Sequence, residues 1–334
     1  MQNNNEMDFK PDNIYEEDIY DDIEPFVSSV KNTHFSMLNK YGENLTKKRY
    51  ITNPAIARED EINKMILILL TPEKSVVLTG KAGIGKTSIV EGLNYKIRRK
   101  DVPNALLNTQ IYKINTSSLI GTYNNDGNQE AKLQLLINEI FGKKYIILFI
   151  DEIHSLVTAS KNGEVDFLNM LKPGLDRGDI KVIGATTTQE FEEYLLKDKA
   201  FLRRFEKIEI AEPSQEDTVK IVCGTLKKIE TATGVKWPYT NYLLEQVAKF
   251  LVNMTSEYKR VYENGSRYPD VTLALFSKCF TYAKFENSEY VTFKHIYSAV
   301  KNCTSVYKDV IEKELVIFKE TFKEYLEKEN VNID

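Results

Sequence analysis

The most constraining stretch of this 334-residue chain is a glycine-rich segment that separates an apolar run from a helix-forming segment. The segment consists of Gly80, Lys81, Ala82, Gly83, Ile84, Gly85, Lys86 and Thr87, with Ser88 next in the chain. Residues 75–79 before it are predicted to form a buried strand, and residues 88–97 after it have helical spacing. A strand, a glycine-rich turn and a helix in this order are the context of a phosphate-binding loop.

The residue types of this loop suit a nucleotide. Glycines allow consecutive backbone N–H groups to surround phosphate oxygens, and the helix N-terminus adds partial positive charge. Lys86 is predicted to reach the β- and γ-phosphates, and the Thr87 hydroxyl is predicted to bind Mg²⁺. Residues 80–88 are therefore the predicted ATP site. The alternative, a glycine-rich turn that binds nothing, is disfavoured because a strand and a helix flank the motif.

An acidic pair follows a later apolar run. Residues 145–150 are predicted to form a strand buried on both faces, and Asp151 and Glu152 come directly after it. Asp151 is predicted to hold Mg²⁺, directly or through water, and Glu152 to polarise the attacking water. Adjacent acids are common on protein surfaces. At the end of a buried strand downstream of a phosphate-binding loop, however, they indicate an ATPase.

Two further candidates stay open on chemistry alone. Thr187 ends the next predicted strand, where it could contact the γ-phosphate or be an ordinary turn residue. Arg203 and Arg204 precede the last predicted strand, where a guanidinium could stabilise transition-state charge at a neighbouring subunit. A solvated basic pair is the simpler alternative for the two arginines.

Strands that alternate with helices predict an α/β fold with a parallel sheet flanked by helices. The predicted strands are residues 75–79, 110–115, 145–150, 181–185 and 206–211. Residues 34–42 are predicted to form a short helix that is followed by a linker, and residues 121–127 a polar loop. From residue 213 onwards the pattern is mostly helical, with one β-like stretch at residues 290–293. The predicted domains are a tail and lead-in (1–50), a nucleotide-binding subdomain (51–212) and a helical lid with a charged C-terminal helix (213–334).

Composition limits the classes of function. The net charge of −4 gives no basic field for nucleic acid, and we expect no nucleic-acid partner. Three dispersed cysteines fit a reducing compartment, and no apolar run is long enough to span a membrane, so we expect a cytoplasmic protein. Residues 1–24 carry nine acids and one lysine among large apolar residues. They are either a solvated tail or a segment that docks on a partner.

Four segments occur in an order and spacing that resemble a known family. They are Ile150-Asp-Glu-Ile-His154, Asn169-Met-Leu-Lys-Pro173, Gly184-Ala-Thr-Thr187 and Leu202-Arg-Arg-Phe205. They resemble the first ATPase module of the Clp/heat-shock-100 family of AAA+ unfoldases, which includes ClpA, ClpB and ClpC. Residues 38–46, 53–59, 211–218 and 291–296 agree with the flanks of that module. The resemblance covers about residues 36–310, and we expect a stand-alone single-module protein.

The resemblance implies roles for the residues that chemistry leaves open. Thr187 would be the sensor 1 residue, and Arg203 and Arg204 would be arginine fingers that act in a neighbouring subunit, which implies a homo-hexamer. Arg267 would sense nucleotide from the lid. Tyr123 lies where the family carries a pore-loop aromatic that grips polypeptide, although here the loop is one residue longer and has no basic neighbours. An ordinary loop tyrosine is the alternative for Tyr123.

Three functions are compatible with these features. The first is an ATP-driven motor that remodels protein substrates, which the complete ATP site and the Tyr123 loop favour. The second is an ATP-switched assembly or adaptor protein within a larger complex, such as mobile-element, defence or secretion machinery. The third is a DNA-handling loader, which is disfavoured because the chain has no basic helix-turn-helix or basic pore segment.

Overall fold

The computed structural model describes residues 35–119, 122–125, 128–161, 167–262, 265 and 267–331. The predicted acidic tail lies outside the described residues, so neither hypothesis about it is tested. The same holds for the two ends of the predicted pore loop.

The strands of the described residues are β1 (Gly42–Asn44), β2 (Ser75–Thr79), β3 (Gln110–Ile114), β4 (Thr122–Asn125), β5 (Asn128–Ala131), β6 (Ile146–Asp151), β7 (Lys181–Thr186) and β8 (Phe205–Glu209). Six of them form the main sheet, in the order β1-β3-β6-β7-β2-β8. A separate hairpin is formed by β4 and β5. All pairs in the main sheet are parallel except β1 with β3, so the predicted α/β class with a mostly parallel sheet is confirmed.

Helices connect the strands and then continue alone. The helices before residue 213 are α1 (Ser36–Tyr41), α2 (Glu59–Leu70), α3 (Lys86–Arg98), α4 (Thr116–Leu119), α5 (Lys132–Ile140), α6 (His154–Lys161), α7 (Phe167–Asp176), α8 (Thr188–Glu190) and α9 (Lys199–Arg204). The later ones are α10 (Gln215–Thr233), α11 (Asn241–Met254), α12 (Asp270–Phe285), α13 (Phe293–Lys301), α14 (Lys308–Thr321) and α15 (Lys323–Lys328). Short helical turns lie at Leu45–Lys47, Asn104–Leu106, Phe191–Leu195 and Glu257–Lys259.

Both faces of the main sheet are buried. Alternate residues of the central strands, such as Val76 and Leu78, share one hydrophobic cluster with α2 and α3. The residues between them, such as Val77, share the opposite cluster with α1, α5 and α7. Burial of all five residues of β2 and the first five of β6 explains why these strands have near-continuous apolar sequences. Polar side chains of β6 can therefore begin only at its carboxyl end, at Asp151.

The helices after residue 213 have a hydrophobic core of their own. It extends from Val219 to Leu326 and includes aromatic rings that pack at tilted angles, such as those of Phe293, Phe318 and Phe322. The two clusters on the sheet contain residues up to Ile210 and none of the residues after it. The predicted division at residue 212 stays a prediction.

Two local predictions were wrong, and a third was confirmed at one residue only. The linker predicted after Gly42 begins with β1, which pairs antiparallel with β3 through partners about 70 residues away, such as Gly42 with Ile114. Residues 122–125 of the predicted polar loop form β4, in which Tyr123 pairs with Glu130 of β5. The β-like stretch at 290–293 makes only an isolated bridge from Tyr290 to Lys236 before α13 begins. Each error concerns backbone pairing, which a local pattern does not determine.

Within the described ranges, none of the helices combines the length and hydropathy that a membrane-spanning segment needs.

Candidate nucleotide-binding and hydrolysis site

The glycine-rich loop occupies the turn between β2 and α3, as predicted. Gly83 and Gly85 have φ values of +76° and +95°, in the left-handed region that glycine adopts without strain. A Cβ at Gly80 would lie 2.5 Å from the Ile210 carbonyl oxygen, so the loop also requires glycine for space. The loop ends at the N-terminus of α3, where unpaired backbone N–H groups and the helix dipole favour an anion.

Lys86 is the first residue of α3, and its side chain lies back over the loop. Its Nζ donates to the carbonyl oxygens of Gly80, at 2.8 Å, and Lys81, at 2.9 Å. Burial lowers the pKa of Lys86, while the negative charges of Asp151 and Glu190 act against that shift. The ammonium therefore lies among the loop carbonyls and close to the acids at the sheet edge.

Thr87 and Asp151 converge at the carboxyl edge of the sheet. The Thr87 hydroxyl donates to Asp151 Oδ2 at 3.2 Å, although the two residues are 64 positions apart. A hydroxyl and a carboxylate beside a phosphate-binding loop are the hard oxygen ligands that Mg²⁺ prefers. The residues present therefore fit a nucleotide-bound Mg²⁺. Asp151 Oδ2 also contacts Lys113 Nζ, at 3.0 Å, a residue that the sequence patterns did not single out.

Glu152 follows Asp151 in a constrained backbone conformation. It is exposed and has a φ of +54°, and the next N–H, of Ile153, donates to the Ala185 oxygen of β7 at 3.0 Å. A positive φ at a residue other than glycine is uncommon and costly, and strained residues of this kind cluster at functional sites. The turn therefore directs the two acids differently: Asp151 contacts Thr87, whereas Glu152 faces solvent.

Thr187 lies one strand away from Asp151, directly after β7. Its hydroxyl accepts the Glu190 N–H at 3.2 Å, and its own N–H donates to Glu190 Oε2 at 2.9 Å, which together cap α8. The same Oε2 accepts the Thr186 hydroxyl at 2.9 Å and lies 3.1 Å from His154 Nδ1. Burial acts to raise the pKa of Glu190, but these hydrogen bonds and His154 outweigh it and lower the pKa. Glu190 and His154 thus fix the position of Thr187.

Arg203 and Arg204 end α9 in different surroundings. Arg203 is exposed. Arg204 is buried and forms an ion pair with Asp176 at the end of α7. The ion pair with Asp176 ties Arg204 to α7 of its own chain, whereas the Arg203 side chain lies at the surface.

The start of α12 in the lid lies against the loop. A Cβ at Gly83 would lie 3.2 Å from the Cβ of Asp270, the first residue of α12. Glu212, at the junction to the lid, accepts Arg260 Nη1 at 2.7 Å and the Tyr268 N–H at 2.8 Å. Arg267, the predicted nucleotide sensor, lies 3.9 Å from the other Glu212 oxygen. The structure therefore places Arg267 beside Arg260 and Tyr268 around one carboxylate, and we call these four residues the Glu212 cluster.

Arg58 also joins the loop to the junction, and sequence reasoning missed it. Its Nη2 donates to the Ile84 oxygen at 3.0 Å and to the Ala211 oxygen at 3.1 Å, while Nη1 pairs with Glu61 at 2.8 Å. The side chain is buried. The clue available in the sequence was its position in the segment of residues 53–59 that matches the lead-in of the resembled module.

Comparisons with known proteins agree with this geometry. Residues 76–212 match the family model described as the ATPase family associated with various cellular activities (AAA). The chaperone protein ClpB of Staphylococcus epidermidis is 43% identical over 208 residues, which are 61% of this chain and 24% of ClpB. ClpB of Aquifex aeolicus is 39% identical over 233 residues, or 69% of this chain and 23% of the relative. The chain thus spans about a quarter of the length of these curated relatives.

Solved structures give the same relationship. A Saccharomyces cerevisiae Hsp104:casein complex in an extended conformation matches with a TM-score of 0.68 and 33% identity over 80% of this chain and 45% of that chain. An Hsp104–ADP complex from the same yeast matches with a TM-score of 0.62 and 32% identity over 87% of this chain and 46% of that chain.

Proposed function

Because the chain contains an AAA+ ATPase module of the Clp/heat-shock-100 type, we propose that it hydrolyses ATP to remodel protein substrates as a ring oligomer. One observation carries the proposal: Thr87 at the start of α3 and Asp151 at the end of β6 meet within 3.2 Å beside the glycine-rich loop. The N-terminus of α3, the Lys86 ammonium and the oxygens of Thr87 and Asp151 all lie at this edge of the sheet. This arrangement suits the phosphates of a nucleotide.

In the proposed site each residue has one task. The loop N–H groups and Lys86 bind the phosphates, and Thr87 and Asp151 hold Mg²⁺. When bound, Mg²⁺ neutralises charge on the phosphate oxygens. Glu152 accepts a proton from the attacking water, and its exposed position after a strained turn leaves it access to that water. Residues 80–88 provide most of the nucleotide contacts.

Thr187 is proposed to sense the γ-phosphate as the sensor 1 residue. The hydrogen bonds of its N–H and hydroxyl to Glu190 fix its backbone and orient its side chain. Because the hydroxyl accepts the Glu190 N–H, its own proton is available for a phosphate oxygen or the attacking water. Arg267 is proposed to sense bound nucleotide through its contact with the Glu212 cluster of the junction.

The ring is proposed because the arginines need a neighbouring active site. Arg203 is exposed at the end of α9 and is the residue that can enter the site of the next subunit. Arg204 would have to leave Asp176 to do the same. Its proposed contribution is therefore twofold: it acts as an arginine finger and it holds α9 in place. Six subunits, as the resemblance implies, would place each Arg203 at the interface with the next subunit.

The first experiment measures the mass of the Glu152→Gln variant by sedimentation with and without ATP. This variant should bind ATP without turning it over, and its mass should shift to about that of a hexamer. Arg203→Ala in the same background should weaken the shift, whereas Lys199→Ala, on the exposed first turn of the same helix, should not. A variant that stays monomeric at saturating ATP contradicts a ring formed by this chain alone.

The second experiment separates a motor from a switch. Casein, which the matched Hsp104 structure contains, serves as an unfolded protein substrate. Tyr123→Ala should abolish ATP-dependent remodelling while ATP hydrolysis continues, if Tyr123 grips polypeptide. Asn125→Ala, at the end of the same strand, is the matched control. Remodelling that survives Tyr123→Ala favours the second candidate, an ATP-switched assembly protein.

A further inference from the structure

Lys113 places a positive charge at the proposed magnesium site, although it belongs neither to the phosphate-binding motif nor to the acidic pair. It lies on β3 in register with Phe149 on β6, and Asp151 follows two residues after Phe149. Neighbours in register on parallel strands point to the same face of a sheet. That face is the one covered by α3, because Phe149 and Ile111 belong to the same hydrophobic cluster as the buried residues of α3.

The Lys113 ammonium contacts the carboxylate that would hold the metal. Its Nζ lies 3.0 Å from Asp151 Oδ2 and 5.6 Å from the centre of the Phe149 ring. The same oxygen accepts the Thr87 hydroxyl at 3.2 Å. The two side chains are partly exposed, at 34% for Lys113 and 31% for Asp151. The positive charge therefore lies against the oxygens that the proposed Mg²⁺ would use.

We infer that Lys113 is a positioning residue that competes with Mg²⁺ for Asp151 and makes nucleotide binding less dependent on the metal. This inference rests on the proposed ATP site. Two effects of Lys113 would both lower the dependence of nucleotide binding on Mg²⁺. Without Mg²⁺, Lys113 neutralises Asp151, which would otherwise repel the phosphates. With Mg²⁺, the ammonium and the metal repel each other beside one carboxylate.

The measurable consequence is a ratio: the affinity for ADP with Mg²⁺ divided by the affinity in EDTA. Replacing Lys113 by Met removes the charge and keeps a side chain of similar length over Phe149. The ratio should then rise by about fivefold, the upper range for a partly exposed ion pair. Most of the rise should come from weaker binding in EDTA. Lys113→Arg keeps the charge and should leave the ratio close to that of the wild type.

Lys207 offers a closely matched control. Its Nζ lies 3.1 Å from Glu209 and 5.4 Å from the centre of the Phe191 ring, and its side chain is 33% exposed. It lies on the edge strand β8, and its ion pair does not involve Asp151 or the loop. Lys207→Met therefore removes the same kind of ion pair from the same sheet, and the ratio should not change.

The experiment is calorimetric titration of ADP into the full chain, in Mg²⁺ and in EDTA, for the wild type and the three variants. A rise confined to Lys113→Met supports the inference. An unchanged ratio in Lys113→Met, with normal ADP binding, overturns the inference alone. A wild type that binds no ADP in Mg²⁺ overturns the inference together with the proposed function. Thermal melting checks folding, and Lys113→Gln replaces the Met variant if the latter does not melt cooperatively.

Discussion

The α/β region and the helical lid contribute to the candidate site in different ways. The α/β region supplies residues from the carboxyl ends of three neighbouring strands, which lie in the sheet in the order β6-β7-β2. Asp151 ends β6, Thr187 follows β7, and Thr87 follows β2 after the glycine-rich loop. The lid supplies isolated contacts: Asp270 against Gly83, and Arg260 and Tyr268 on Glu212. By this comparison, the residues proposed for catalysis lie mostly in the α/β region, and the lid contacts the loop and the junction.

The largest expected effect tests whether a residue of the α/β region, Glu152, is the general base for ATP hydrolysis. Glu152→Gln should lower ATP turnover by about 10²- to 10⁴-fold, because a general base is lost, while ADP affinity stays within about twofold. Turnover is measured by phosphate release and affinity by calorimetry. Glu192→Gln, an exposed acid on the turn Phe191–Leu195, is the control and should leave both unchanged. Near-normal turnover in Glu152→Gln would assign the base to another residue.

The next effect tests how firmly the lid is joined to the α/β region. Arg260 is buried, donates to the Thr255 oxygen at 2.6 Å and pairs with Glu212. Arg260→Met should lower the free energy of unfolding by about 2–3 kcal/mol, because it leaves a partly buried carboxylate without this partner. Urea denaturation measures the change.

The control for Arg260 is an exposed ion pair on the lid. Lys249→Met breaks the pair of Lys249 with Glu245, in which both side chains are about half exposed. It should cost well under about 1 kcal/mol. If Arg260→Met costs no more than this, the Glu212 cluster does not hold the lid.

A third prediction compares two glycines of the loop. An added Cβ at Gly83 meets Asp270 of the lid at 3.2 Å, whereas at Gly85 the closest recorded atom is Ser88 Cβ at 3.9 Å. Both substitutions by Ala force a positive φ on a residue with a side chain and should cost about 1–2 kcal/mol. Only Gly83→Ala should also loosen the start of α12, which hydrogen exchange of residues 270–274 would detect. Equal exchange in both variants would show that the lid does not depend on this contact.

The smallest effect tests the fixed position of Thr187. Glu190→Gln should lower stability at pH 7 by about 1 kcal/mol, as for the loss of a helix cap. The pKa of Glu190 is lowered, so its contribution is complete above its ordinary value of 4.5 and is lost as the pH falls through the lowered folded value. The difference from wild type should therefore shrink in urea denaturation as the pH is lowered through that folded value. A difference that persists there would indicate packing as the cause, since His154 and the threonine hydroxyls remain.

Contiguous features of the site could be predicted from sequence, and contacts between distant segments could not. The loop at residues 80–88 and the acids at the end of β6 follow from the residue order, because one strand and one turn determine their positions. The contacts of Lys113 with Asp151 and of Arg58 with Ile84 and Ala211 join residues at least 26 positions apart, so they depend on how the elements pack. The edge strand β1 was missed for the same reason. The resemblance assigned Thr187 a role but gave no reason to expect that Glu190 would form hydrogen bonds with it.

Arg58 has a consequence for how the lid can move. One rigid, planar guanidinium binds the oxygen of Ile84 in the loop and the oxygen of Ala211 at the end of the sheet. These two carbonyls are thereby tied together, and we expect Ala211 to move with the loop. A rotation of the lid would then take place between Ala211 and the start of α10, at residues 212–214. The φ of one of these residues, Pro213, is fixed by its ring.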